Sequence, residues 1–229
     1  KIPVGLSMIT SQWEEFEGRK VIAIRFRTRS NRIVATLYPV DDTIEALIDP
    51  VGFKSIRFTK KLSEGSNKYH EITTFDYPSL SVKWESLTRK VIKTLKIEAD
   101  TRDVITFMNL LRSQPFVVGE SHRYRVQGDT KMFDAWINTT AKEPVKLPGY
   151  GKVMSVRVDP EAARMGFFVN KGKATFWLSD DKRRVITRLD ATVPVASIHA
   201  ILAGVEGPGD DDWIKKSPLK NFEMPKRED

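Results

Sequence analysis

Alternation of apolar and polar side chains runs through most of the chain and is clearest over residues 172–204, GKATFWLSDDKRRVITRLDATVPVASIHAILAG. Ala174, Phe176 and Leu178 fall on one side of a period of two, and Lys173, Thr175 and Trp177 on the other. After a polar corner, Val185, Thr187, Leu189, Ala191 and Val193 oppose Arg184, Ile186, Arg188, Asp190 and Thr192. A period of two puts alternate side chains on one face of a sheet, so both runs read as strands. Residues 179–183 join them as a hairpin turn, because Ser and Asp side chains bond their own backbone. This meander is the expected floor for the other strands.

From the N-terminus, the same pattern predicts a hairpin of 5–13 and 20–29 across the polar residues 14–18. A strand over 32–38, ended by Pro39, follows. Further strands are predicted at 43–48, 53–62, 68–76, 80–85, 90–98, 120–126, 131–138, 152–158 and 165–170, with Gly, Pro, Asn, Ser or Asp between them. One segment differs. In residues 101–112, Val104, Phe107, Met108 and Leu111 make the i, i+3, i+4, i+7 stripe of a helix. Asp100 or Thr101 can cap it, Asp103 suits its positive end, and Arg112 its negative end. The predicted fold is all-β: a large curled antiparallel sheet, an open barrel or spiral, with one short helix around 101–112. Residues 1–205 are read as one domain. Residues 206–229 are read as a polar, acidic tail, extended and anchored if at all by Trp213 or Phe222.

Charge sharpens this picture. The 229 residues carry a net +8, and because residues 205–229 are net acidic, residues 1–204 carry about +10. A basic body attracts phosphates, anionic lipids and acidic glycans. The chain has no cysteine, which excludes disulfides, thiol catalysis and thiolate metal sites. No apolar run reaches the roughly 18 residues of a transmembrane helix.

The densest basic stretch is residues 19–32, with six bases and no acid. Arg25, Arg27 and Arg29 share one strand face at about 6.6 Å spacing, opposite Ile22, Ile24 and Phe26. Such a row can bind phosphate, lipid headgroups or acidic polysaccharide through the planar guanidinium fork. The ordinary alternative is a solvated outer face paired with acids on neighbouring strands. Single-stranded nucleic acid is not expected, because Phe26 points away from the arginines and the aromatic interleaving is thin.

Candidate chemistry is otherwise sparse. His70, His122 and His199 lack a second ligand at zinc-motif spacing, so no metal is expected. The carboxylate groups Asp41–Asp42, Asp180–Asp181 and Asp210–Asp212 do not alternate as calcium ligands do, and read as turns or tail. No Walker loop, dinucleotide fingerprint or nucleophile elbow occurs, and Gly149-Tyr150-Gly151 is a weak phosphate signal, so no cofactor is expected. Trp13, Phe107, Trp136, Phe167, Phe168, Phe176 and Trp177 either fill the core or line a lipid-sized hollow.

Four segments carry a family resemblance: DVITFMNLLR (103–112), VKLPGYGK (145–152), FWLSDDKRRV (176–185) and ASIHAILAG (196–204). Together they resemble the bacterial family known as domain of unknown function 3108, over most of residues 5–204. The resemblance implies an exported all-β protein of the periplasm or cell surface, whose signal peptide precedes Lys1, and no established activity. Within the motif, Arg112, Asp180, Asp181, Arg183 and Arg184 are expected to set the turn and pair with neighbours.

The function expected is that of a non-enzymatic cell-envelope protein, binding an anionic or acylated component such as an anionic lipid, lipopolysaccharide or acidic glycan, or acting in envelope assembly. One alternative is an enzyme on envelope glycans, which needs two facing carboxylates, with Glu71, Glu85 and Asp134 as candidates. The other is a basic nucleic-acid-binding module.

Overall fold

The computed structural model describes residues 3–162, 173–193, 196–207 and 213. The strand expected at 165–170 and the anchor at Phe222 lie outside them. The first sheet starts with a long hairpin of β1 (Gly5–Phe16) and β2 (Arg19–Ser30). The strands run further than their apolar pattern, because Glu14 sits within β1 and meets Arg25 of β2 across the hairpin. Only Glu17 and Gly18 remain as the turn, at φ 50° and 71°. Two left-handed residues match the right-handed twist of the flanking strands.

The strand expected at 32–38 is instead α1 (Arg32–Ala35), followed by a turn. The reason is local capping. Asn31 Oδ1 accepts the Val34 amide at 2.8 Å, and the Asn31 carbonyl accepts the Ala35 amide at 2.8 Å. An asparagine that satisfies the free amides of the first turn makes the helix competitive with an extended run. Beyond it, β3 (Asp41–Asp49), β4 (Lys54–Glu64), β5 (Asn67–Asp76), β6 (Ser81–Ser86) and β7 (Val91–Lys96) add in chain order. All neighbours in this seven-stranded sheet are antiparallel.

The remaining elements are β8 (Arg102–Asp103), α2 (Val104–Ser113), β9 (Ser121–Gly128), β10 (Lys131–Leu147), β11 (Gly151–Ala162), β12 (Lys173–Ser179), β13 (Ile186–Val193) and β14 (Ala196–Ile201). They order β14-β13-β12-β11-β10-β9-β8 in a second sheet. It is antiparallel where β10 to β14 pair, and parallel in the two-residue contact of β8 with β9. The fold is all-β, as expected, but built as two sheets rather than one. Among the described residues each strand order ends in two edges, so neither ladder closes into a barrel. β10 continues past the expected 138 because its register shifts between Thr139 and Ala141 and pairing with β11 resumes. Pro144 sits in that continuation, beyond the start of β9, where a missing N–H costs the ladder least.

Contacts divide the chain into two compact units, Lys1–Asn109 with Arg125–Met132, and Leu110–Tyr124 with Phe133–Asp229. The dividing line passes within α2, β9 and β10, none of them a linker. The core of the first unit gathers Ile24, Ala46, Ile48, Phe58, Phe75 and Val82 from five neighbouring strands, with Ile105 of α2 against them. A smaller cluster of Val21, Ala23, Leu47 and Ile56 occupies the other side of the same sheet, under Phe16. The sheet is thus apolar on both faces near the hairpin turn and becomes polar on one face toward the other end of β2. In the second unit Val145, Leu147, Tyr150, Val153 and Trp177 form a cluster that Leu202, Val205 and Trp213 cover. Trp213 donates to Asp181 Oδ2 at 2.8 Å and meets the Tyr150 ring edge-on at 5.5 Å.

The start of α2 differs from its expected cap. Asp103, not Asp100 or Thr101, accepts the amides of Ile105 and Thr106, at 2.8 and 2.9 Å. Its second oxygen accepts the hydroxyls of Thr106 and of Ser55 on β4, both at 2.5 Å. Asp103 is fully buried, and burial raises its pKa against these four donors. Asp103→Ala would leave two helix amides and two hydroxyls without an acceptor and is expected to cost about 2–4 kcal/mol. Asp103→Asn, which keeps one acceptor oxygen, should lose clearly less. Urea midpoints of the two variants check this, and an unshifted midpoint for the alanine variant refutes it.

Candidate functional site

Across the polar face of the first sheet, the three arginines of β2 find carboxylates on β1 and β3. Arg25 donates Nε to Glu45 at 2.7 Å and both Nη atoms to Glu14 at 2.5 and 2.9 Å. The two carboxylates raise the Arg25 pKa, and the Arg25 hydrogen bonds lower that of Glu14. Arg29 grips Asp41 with Nε and Nη2 at 3.2 and 3.3 Å. Arg27 reaches Asp41 only at 3.6 Å and keeps 43% of its side chain exposed. Arg57 on β4 approaches Glu45 at 3.6 Å and stacks on Phe16 at 4.6 Å. The ordinary reading of the row therefore describes Arg25 and Arg29, whereas Arg27 is only loosely held.

Four guanidiniums here share three carboxylates, and Lys61 stands in line with Arg27 through Thr43. Lys61 and Arg32 are both exposed. The Nε atoms of Arg27 and Arg57 are buried and have no hydrogen-bond partner among the described residues. A face with a net cationic excess and half-engaged forks favours an oxyanion.

At the end of β2 the same edge of the molecule turns apolar. Ile33 of α1 is 73% exposed and Leu37 just after it 88%, with Val4 and Tyr38 also exposed. The group is held together locally: the Asn31 amide donates to the Val4 carbonyl at 2.9 Å, and the Tyr38 amide to the Val34 carbonyl at 2.8 Å. Gly65, at φ 58°, lies under the Tyr38 ring, where a Cβ would come within 2.9 Å of a ring carbon. The turn between β4 and β5 is thereby fitted to the tip. Reading 32–38 as a strand hid this feature, because alternation would have buried half of those side chains. The signal that could have found it is Asn31 as an N-cap ahead of Ile33, Val34 and Leu37.

The other predicted residues have structural partners in the second unit. Arg112, at the end of α2, donates to the carbonyls of Arg184 and Arg183 at 2.9 and 3.0 Å. Arg184 returns a bond to the Arg112 carbonyl at 2.9 Å and covers the Phe116 ring. Asp181 accepts the amides of Arg183 and Arg184 at 2.9 and 3.0 Å, which closes the hairpin turn. Asp180 pairs with Lys142 at 2.9 Å. The shared chemistry of the motif is to clip the end of α2 onto the hairpin.

The three candidate carboxylates, Glu71, Glu85 and Asp134, do not assemble into a facing pair. Glu71 and Glu85 lie on adjacent strands, but Glu85 opposes Ile72, so the two point to opposite faces of the sheet. Glu71 meets Lys60 at 3.0 Å and Arg89 at 2.9 Å, Glu85 meets Lys83 at 3.2 Å, and Asp134 meets Arg123 at 2.9 Å. Lys60 is buried and also bound to Asp129. Burial pulls the Lys60 pKa down, and the carboxylates of Asp129 and Glu71 outweigh it and raise the pKa. This holds Lys60 as an ammonium, not as the neutral amine that covalent catalysis requires. His122 and His199 each contact one carboxylate, Glu120 and Asp190, and no group of three metal-ligating side chains occurs among the described residues. An open depression of about 490 Å³ is lined by Lys146, Leu147, Pro148, Gly149, Gly151 and Ile201.

Asp41 and Asp42, expected in a turn, are the first residues of β3. Asp42 faces away from the arginines and accepts the Ser63 amide at 2.9 Å. Burial, with Glu64 and Asp41 nearby, pushes its pKa up from 3.8 to about 6. A carboxyl that is harder to ionise folded than unfolded weakens the fold once it ionises. That penalty is present above pH 6 and fades as pH falls from about 6 toward 3.8. Asp42→Asn, which keeps the acceptor for Ser63, should therefore raise the melting temperature at pH 8 and leave it nearly unchanged at pH 4. Thermal unfolding at the two pH values checks this.

Among solved structures, one described as "Crystal Structure of Beta-barrel-like Protein of Domain of Unknown Function DUF1849 from Brucella abortus" is similar at a TM-score of 0.56. The identity is 11%, with 83% of this chain and 83% of that chain covered, so the likeness is one of fold. No curated protein matches the chain. The family described as "Protein of unknown function (DUF3108)" matches over residues 1–203, and the chain belongs to it.

Proposed function

We propose that this protein is a non-catalytic, exported component of the cell envelope that binds an anionic, acyl-bearing envelope surface through its first unit. The observation that carries the reading is the apolar tip of Ile33 and Leu37, exposed in water at the end of the arginine face. Exposed large side chains clustered on one turn mark an interaction site more often than isolated ones do. Acyl chains would take Ile33 and Leu37, each worth roughly 1.5–3 kcal/mol if fully buried. Arg27, Arg32 and Lys61 would meet phosphate or carboxylate at headgroup level, at about 1 kcal/mol for each basic side chain near an anionic surface. Arg25 and Arg29 hold the strand face in place through Glu14, Glu45 and Asp41 and contribute less to binding.

Co-sedimentation with vesicles tests the proposal. Vesicles containing anionic phospholipid should retain the protein at low salt, more weakly at high salt, and vesicles of phosphatidylcholine alone should retain little. Ile33→Asp and Leu37→Asp should each weaken retention about tenfold or more while leaving the unfolding transition in place. No retention on anionic vesicles at low salt would sink the proposal.

A further inference from the structure

Among the described residues the first sheet ends at β1, whose paired neighbour is β2. On the far side of such a strand, alternate amides and carbonyls have no ladder partner, and proteins usually blunt the edge with lysine, proline, a bulge or short length. The other edge of this sheet follows that practice, since β7 has six residues and carries Lys93 and Lys96. β1 does not. It has twelve residues in unbroken register with β2, and residues 5–13 contain no charge and no proline. Two large apolar side chains on one of its faces, Ile9 and Trp13, remain 49% and 58% exposed.

We infer that β1 is an interface for a second copy of this chain, pairing antiparallel with its own equivalent about a two-fold axis at Ser11. The argument is self-complementarity. In a two-fold pairing, residue i opposes j and j opposes i. Centring on Ser11 places Ile9 opposite the partner's Trp13, and Trp13 opposite the partner's Ile9. Thr10 then meets the partner's Gln12, Met8 the partner's Glu14, and Ser7 the partner's Glu15. Directly opposed aromatic and β-branched side chains are a favourable cross-strand pair, and no like charges meet in this register. Centring on Ile9 instead keeps one Ile9–Ile9 pair but opposes Trp13 to Gly5, and centring on Thr10 opposes Trp13 to Ser7, so both leave the indole without an apolar partner. The axis stands perpendicular to the sheet, so the two arginine faces turn to the same side. One strand pair buries less than the roughly 1,600 Å² of a standard stable interface, so the dimer should depend on concentration. The inference stands on β1 alone and does not require lipid binding.

Because the chain has no cysteine, one engineered residue reports the register cleanly. Ser11→Cys should form a symmetric disulfide-linked dimer under mild oxidation, since opposed Cα atoms lie within bridging range. Ser7→Cys should not, because its equivalent would lie about 27 Å away along the paired strands. Sedimentation without lipid should show a monomer–dimer equilibrium that Ile9→Lys abolishes, while the lysine variant still unfolds cooperatively. A chain that stays monomeric at high micromolar concentration overturns the inference. So does equal cross-linking at positions 7 and 11, or a dimer indifferent to Ile9→Lys, which would assign assembly to another surface.

Discussion

A single buried carboxylate ties the start of the helix to the first sheet. Asp103 gathers two amides and a hydroxyl at the head of α2 and a hydroxyl from β4. Around it, Tyr77 donates to the Thr101 carbonyl at 2.8 Å and accepts the Ser55 amide at 3.1 Å. Arg102 binds the carbonyls of Phe53 and Gly52 at 2.6 and 2.9 Å. Burying these groups without partners would cost several kcal/mol, so each restricts the geometry of the next. The seven-stranded meander, the two-residue β8 and α2 are thus tied together by polar bonds as much as by apolar contact.

The same economy runs through the charged residues. On the polar face, Arg25 and Arg29 answer Glu14, Glu45 and Asp41, and inside the first unit Lys60 answers Glu71 and Asp129. Ion pairs of the second kind hold a register, since removing one partner strands the other in a dry environment. What remains after this pairing is a small cationic excess and an apolar tip beside it. Chemistry in the catalytic sense needs groups held in convergent, half-satisfied positions. Glu71, Glu85 and Asp134 each meet a basic neighbour instead, and the proposed function rests on a surface.

Several elements were legible in the residues. The meander of β12 to β14, the hairpin turn at Asp181 and the helix that follows β8 fit the periodicity and turn chemistry of the sequence. Arg112, Asp181 and Arg184 join the end of α2 to the hairpin turn. The region 32–38 was misread because a run of apolar residues of that length fits strand and helix alike, and the Asn31 cap decided between them. The division into two sheets was not readable, since it turns on β7 and β9 having different neighbours, a choice of strand pairing that leaves no periodic trace.

By itself the sequence determined which residues alternate, where the chain must turn, how basic the body is and which family it falls in, because these depend on neighbours within a few positions. Tertiary structure alone decided which arginines are spent on carboxylates and which remain loosely held. It also decided that Glu71 and Glu85 point apart and that β1 ends up as an edge. These outcomes are set by strand order and register between residues tens of positions apart. A one-residue slip in either would send every side chain to the opposite face, and composition carries no record of it.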